Sequence, residues 1–70
     1  MQVQINGEPR ELPSGTSLRD LISTLNLAAE RVAIEVNHVV VRRVNWPTTV
    51  LNEGDRIEIV HFVGGGLTNP

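Results

Sequence analysis

The 70-residue chain contains no cysteine. That excludes a disulfide framework, a thiolate metal site and a cysteine nucleophile. Positive charge is scarce: six basic residues stand against eight acidic ones, for a net charge of −2. This balance argues against sequence-independent nucleic-acid binding, which relies on clustered positive charge to release counterions. No apolar run approaches the roughly 20 residues that span a bilayer. The opening Met1-Gln2-Val3-Gln4-Ile5 alternates and lacks a cationic n-region, so a secretory signal is not expected and the cytoplasm is the expected location. Neither of the two histidines, His38 and His61, has metal-ligand spacing, and no metal is expected. No nucleophile and base stand together, so an enzyme is not expected.

What remains fits a small folded domain. Apolar residues make up 40% of the chain, consistent with a globular fold rather than disorder. A chain this short buries only about 60% of the surface its unfolded form exposes, so its core is thin and leaves no room for a substrate-sized interior cavity. Val3 and Ile5 alternate with polar neighbours, the period of a half-buried strand. Asn6-Gly7 follows, a dipeptide suited to the positive φ angles of a two-residue type I′ turn. The returning strand, Glu8 to Leu12, contains Pro9, which cannot donate to a ladder and so predicts an edge position. Pro13-Ser14-Gly15 ends it, and the period changes. Leu18, Leu21, Ile22 and Leu25 form one stripe of an amphipathic helix of about three turns. Thr16 or Ser17 suits its N-terminus, Asp20 its first turn, and Asn26 its stop.

Val32 to Val36 reads as a third strand, Asn37-His38 as a turn, and Val39-Val40-Val41 as a further apolar segment. Arg42 to Thr49 reads as an irregular crossing with Trp46 as its anchor, in the core or at its rim. After a turn at Asn52-Glu53-Gly54-Asp55, Ile57 to Val63 reads as a long last strand. The order strand, strand, helix, strand, short connection, strand predicts a two-layer α+β domain with one sheet face at least partly exposed.

From that last strand onward the residues become specific. Asn52-Glu53-Gly54-Asp55-Arg56-Ile57-Glu58-Ile59-Val60, followed by Val63-Gly64-Gly65-Gly66, resembles the C-terminal half of the ThiS family, the sulfur carriers of thiamine biosynthesis. Val32-Ala33-Ile34-Glu35-Val36-Asn37, with Val41, Arg43 and Trp46, resembles the family's middle segment. The Asn6-Gly7 turn and the Leu18/Leu21/Ile22/Leu25 helix fit it as well, so the resemblance covers residues 1 to 66.

The resemblance implies a ubiquitin-like β-grasp: a mixed sheet of four to five strands, with one main helix on one face and the first and last strands parallel at its centre. It implies a domain over residues 1–63 and a C-terminal tail over 64–70. It also implies a cycle in which a ThiF-type, E1-like adenylyltransferase uses ATP and Mg²⁺ to adenylate a terminal glycine carboxylate. A persulfide from a donor such as cysteine desulfurase then displaces AMP, and ThiG-type thiazole synthase consumes the thiocarboxylate. On that basis Gly66 carries the sulfur, Gly64 and Gly65 give slender reach, and the chain binds no cofactor of its own. The carrier is expected to be a monomer when free and to bind neither nucleic acid nor membrane. Four residues from Val63 to Gly66, fully extended, reach about 13 Å, and glycines avoid side-chain clashes in a narrow channel.

One departure matters. The family ends at the glycines, whereas here Leu67-Thr68-Asn69-Pro70 follows, and an internal Gly66 carbonyl is an amide that cannot be adenylated. Removal by a peptidase, an added terminal sequence and loss of carrier activity are all open, and processing is the expectation. Val60 and Phe62 share one face of the last strand if Ile57 and Ile59 point inward. With Val63 they are candidate docking residues for partner enzymes, unless twist or a bulge buries Phe62. Arg42 and Arg43 are read as a solvated pair, and Asp55 and Glu58 as turn and surface groups. All six basic residues are arginine: either the source genome is biased, or an activated carboxyl terminus benefits from the absence of amines. Alternatives to a thiamine carrier are a MoaD-like small subunit of molybdopterin synthase, a carrier for another sulfur pathway, a modifier joined to lysines, and a ubiquitin-like binding module without chemistry.

Overall fold

In the structure, a computed structural model that describes residues 1–62, the first hairpin forms where the Asn-Gly signal lies. Strand β1 (Gln2–Ile5) and strand β2 (Glu8–Glu11) pair antiparallel with Ile5 opposite Glu8. Asn6 and Gly7 both take positive φ, 51° and 84°, as a type I′ turn requires. Pro9 sits opposite Gln4 on the outermost strand of the sheet. The Met1 and Leu12 backbones exchange bonds just beyond the hairpin. Alternation from that pair places Pro9 at a position whose missing N–H costs no ladder bond.

Helix α1 (Leu18–Thr24) is shorter than its leucine stripe predicts, two turns rather than three. A capping box sets its start: the Ser17 hydroxyl accepts from the Asp20 amide at 3.1 Å, and the Ser17 amide donates to the Asp20 carboxylate at 3.3 Å. Its end is equally defined. Asn26 takes a left-handed φ of 59°, the Asn26 amide donates to Ser23 O and the Leu27 amide to Ile22 O. Those two bonds are a Schellman closure. Leu25 is therefore the cap, half-buried, while Leu18, Leu21 and Ile22 face the core.

A 3₁₀ turn (Ala29–Arg31) leads into β3 (Val32–Val36), which pairs with β4 (Val39–Val41) through a second two-residue turn, Asn37 and His38, both at positive φ. The crossing segment from Arg43 to Thr48 is a 3₁₀ turn rather than irregular. Trp46 is its anchor in the core: it is 3% exposed, and its Nε1 donates to the Val41 carbonyl at 2.9 Å. Strand β5 (Arg56–His61) completes a five-stranded sheet of order β2-β1-β5-β3-β4. β1 and β5 lie parallel at its centre. This is the ubiquitin-like β-grasp that the family resemblance implies, and it fits the two-layer α+β domain expected from the element order.

Alternation along the strands divides the sheet. Val3, Ile5, Ile34 and Ile57 point at the helix and are buried. Gln2, Gln4, Ala33, Glu35, Glu58 and Val60 point to the other, open face. Among the described residues no helix is long and apolar enough to cross a membrane. Val63, Gly64, Gly65, Gly66 and the extension 67–70 lie outside the described residues, as does the expected end of the last strand at Val63 and the division of the chain there.

Two substitutions test this account by urea unfolding. Ser17→Ala orphans the Asp20 amide and is expected to destabilise by about 1 kcal/mol. Trp46→Phe leaves the Val41 carbonyl without its buried donor and is expected to cost about 1–3 kcal/mol. A change within error for either would contradict the role given to that residue.

Candidate functional site

β5 leads directly to the glycines, and the sheet grips it from both flanks. On the β3 side the register runs from Val36 opposite Ile57 to Val32 opposite His61. It continues one residue further, where the Phe62 amide donates to Arg31 O at 2.7 Å. On the β1 side the paired residues are only Gln4 with Arg56 and Ile5 with Ile57. The Asn6 amide then reaches Ile57 O at 2.8 Å before the chain turns away.

Beyond that point a side chain replaces the missing strand. Asn6 Oδ1 accepts from the Ile59 amide at 2.7 Å, and Asn6 Nδ2 donates to the Ile59 carbonyl at 3.3 Å. The other hairpin turn acts similarly at the start of the strand. Asn37 N donates to Arg56 O, Asn37 Oδ1 accepts from Arg56 N at 3.0 Å, and Asn37 Nδ2 donates to Asp55 Oδ1. Both asparagines read from sequence as turn residues, which their positive φ angles fully explain. Their second role carries no signal in the local sequence, because the bonds span 53 and 19 residues.

Val60 and Phe62, the expected docking residues, take separate exposures. Val60 is 55% exposed on the open face and sits opposite Ala33. Phe62 is half-buried; the register carried on by its amide puts it on the same face. No bulge intervenes, and its ring borders a cleft of about 340 Å³ where β4 stops short of β3, beside Ala33, Val40, Arg42 and Trp46. Val40, also on the open face, is 64% exposed. The end of the open face nearest the tail thus carries Ala33, Val60 and Phe62, with Val40 one row back opposite Glu35 and Arg42 beside the cleft.

Next to it lies charge. Glu35 and Glu58 stand directly opposite each other across β3 and β5. Like charges in that arrangement repel, and among the described residues neither forms an ion pair with an arginine. The open face therefore presents an apolar strip bordered by charges of both signs: Glu35 and Glu58 on one side, with Arg56 on the same face of β5 opposite Gln4, and Arg42 beside the cleft. Asp55 serves its turn: its carboxylate accepts from the Asn52 backbone amide at 2.8 Å and from Asn37 Nδ2 at 3.0 Å. Arg42 and Arg43 are exposed at the start of the 3₁₀ turn. His38 and His61 fall at opposite ends of β3, and among the described residues no cluster of potential metal ligands forms. Gly64, Gly65 and Gly66, on which the chemistry expected from the sequence falls, and the candidate docking residue Val63 are outside the described residues.

Comparison with known proteins agrees with this arrangement. The model of the ThiS family matches residues 3–66. The sulfur carrier protein ThiS of Bacillus subtilis is 34% identical over 65 residues, covering 91% of this chain and 98% of that protein. A thiazole synthase of Magnetococcus marinus is 46% identical over 70 residues, covering all of this chain but only 22% of the synthase; the chain thus spans about a fifth of that relative. The crystal structure of the thiamine biosynthesis protein ThiS from Geobacter metallireducens superposes with a TM-score of 0.81 at 33% identity, covering 94% of this chain and 100% of that one. The chain belongs to the ThiS family, the sulfur carriers of thiamine biosynthesis.

Proposed function

We propose that Gly66 becomes the sulfur-bearing terminus of this carrier after residues 67–70 are removed. The observation that carries this reading is where the family match ends: at Gly66, four residues before the end of the chain. A carboxylate is a poor electrophile until one of its oxygens becomes part of a leaving group. A ThiF-type adenylyltransferase, using ATP and Mg²⁺, would join the freed Gly66 carboxylate to AMP with loss of pyrophosphate. A persulfide sulfur, supplied by a donor such as a cysteine desulfurase, then attacks the carbonyl and expels AMP. Cleavage of the S–S bond by a thiol leaves the thiocarboxylate. With no cysteine in the chain, the carboxyl end is the group left to hold sulfur.

The chain itself supplies position rather than catalysis. Gly64 and Gly65 let the backbone enter a narrow channel without side-chain collisions. Thiazole synthase is the proposed acceptor of the sulfur, supported by the relatives in which a matching segment is part of a thiazole synthase chain. The apolar strip around Val60 and Phe62 is the proposed docking surface for these partners, and the cytoplasm is the proposed location.

Intact-mass measurement on protein from its native cell checks the processing step. A chain ending at Gly66 is expected; incubation with the host activating enzyme, ATP, Mg²⁺ and a sulfur source should then add the mass difference between sulfur and oxygen. Pro70 retained in every molecule would leave a binding module without carrier chemistry. Docking is checked separately. Val60→Asp is expected to weaken binding to the activating enzyme about tenfold or more, with the unfolding midpoint little changed because the residue is exposed. Unaltered affinity would remove the open face from the interface.

A further inference from the structure

We propose that Asn6 is a positioning residue for the carrier's chemistry: its carboxamide holds the base of the glycine tail in line with the central sheet. This rests on the carrier reading above. The backbone of β1 supports β5 only as far as Ile57. From Ile59 onward, among the described residues, no strand pairs with the β1 flank of β5, and the Asn6 side chain is the group that takes the place of one.

The chemistry of the carboxamide suits that task. It presents one acceptor and one donor with the geometry of a peptide group, so it can engage both the N–H and the C=O of a single strand residue. Of those two bonds the 2.7 Å one to the Ile59 amide is the shorter. It fixes the β1 flank of β5 at Ile59, three residues before the last described strand bond, from Phe62 N to Arg31 O, so the end of the strand that leads to Gly66 is held on both sides. Freedom at the end of β5 widens the set of positions from which the tail starts toward a partner's site. Displacement of the reacting atoms lowers the turnover of a reaction that depends on prior alignment.

The turn alone does not explain the residue. Glycine and aspartate also accept the positive φ of the first position of a type I′ turn, yet glycine has no side chain to reach Ile59. This separates the two roles experimentally. Asn6→Gly keeps the turn and deletes the bond. Asn6→Asp keeps the turn and an acceptor for the Ile59 amide, while losing the donor to the Ile59 carbonyl.

Amide hydrogen exchange on the full 70-residue chain reads the bond directly. Asn6→Gly is expected to speed exchange at Ile59 about tenfold or more, with the core amides of Leu21 and Ile34 unchanged. Asn6→Asp is expected to retain most of the Ile59 protection. Adenylation of the chain ending at Gly66, which lacks none of the described contacts, reads the consequence. Asn6→Gly should lower kcat roughly 3- to 10-fold at unchanged KM, and Asn6→Asp should recover most of it. The proposal is overturned if Ile59 exchange is insensitive to Asn6→Gly, if core amides accelerate equally, or if the glycine and aspartate variants turn over alike. A wild-type chain ending at Gly66 that is never adenylated sinks the carrier reading instead, while the exchange experiment still decides whether Asn6 holds Ile59.

Discussion

Holding the last strand at the centre of the sheet is the constraint on which the rest of this small protein depends. β5 lies between β1 and β3, pairs parallel with one and antiparallel with the other, and buries Ile57 completely. The parallel pairing requires the chain to cross over between β1 and β5, and the helix that makes part of that crossing brings Leu18 and Leu21 onto the same core. A tail attached to β5 begins from a strand paired on both sides at its start and held at its end by β3 and by the Asn6 side chain. The same tail on an edge strand would inherit the edge's mobility.

Because the core is thin, polar groups do much of the specifying. Four short devices set the ends of elements: the Ser17–Asp20 box, the Schellman closure at Asn26, and the asparagine turns at Asn6 and Asn37. The two turns also bind β5 through their side chains, one at Arg56 and one at Ile59. Each turn therefore forms its own hairpin and braces the strand that neither hairpin contains. A single residue type satisfies both needs, since the amide side chain tolerates a left-handed backbone and mimics a peptide group.

The two sheet faces divide the labour. The helix covers one face with apolar packing. The other is left open, apolar near the tail and charged further back, where Glu35 and Glu58 face each other with Arg56 on the same side. The adjacent carboxylates oppose one another at a cost in stability.

Much of this was legible in sequence, because it is governed by local chemistry. Two-residue turns follow from Asn-Gly and Asn-His at positions that need positive φ; Pro9 excludes all but an edge strand; the leucine period marks the helix; and the family resemblance is concentrated in residues near one another in the chain. The helix is a turn shorter than its apolar stripe because Leu25 continues the stripe only as the cap, while Asn26, the expected stop, ends it through its backbone conformation. Tertiary structure decided what depends on residues distant in sequence. The registers of β5 with β1 and β3 set which face Val60 and Phe62 occupy, and the Asn6–Ile59 bond joins groups 53 residues apart. Periodicity reports whether neighbours alternate, but which distant backbone a side chain meets is settled only when the strands have paired.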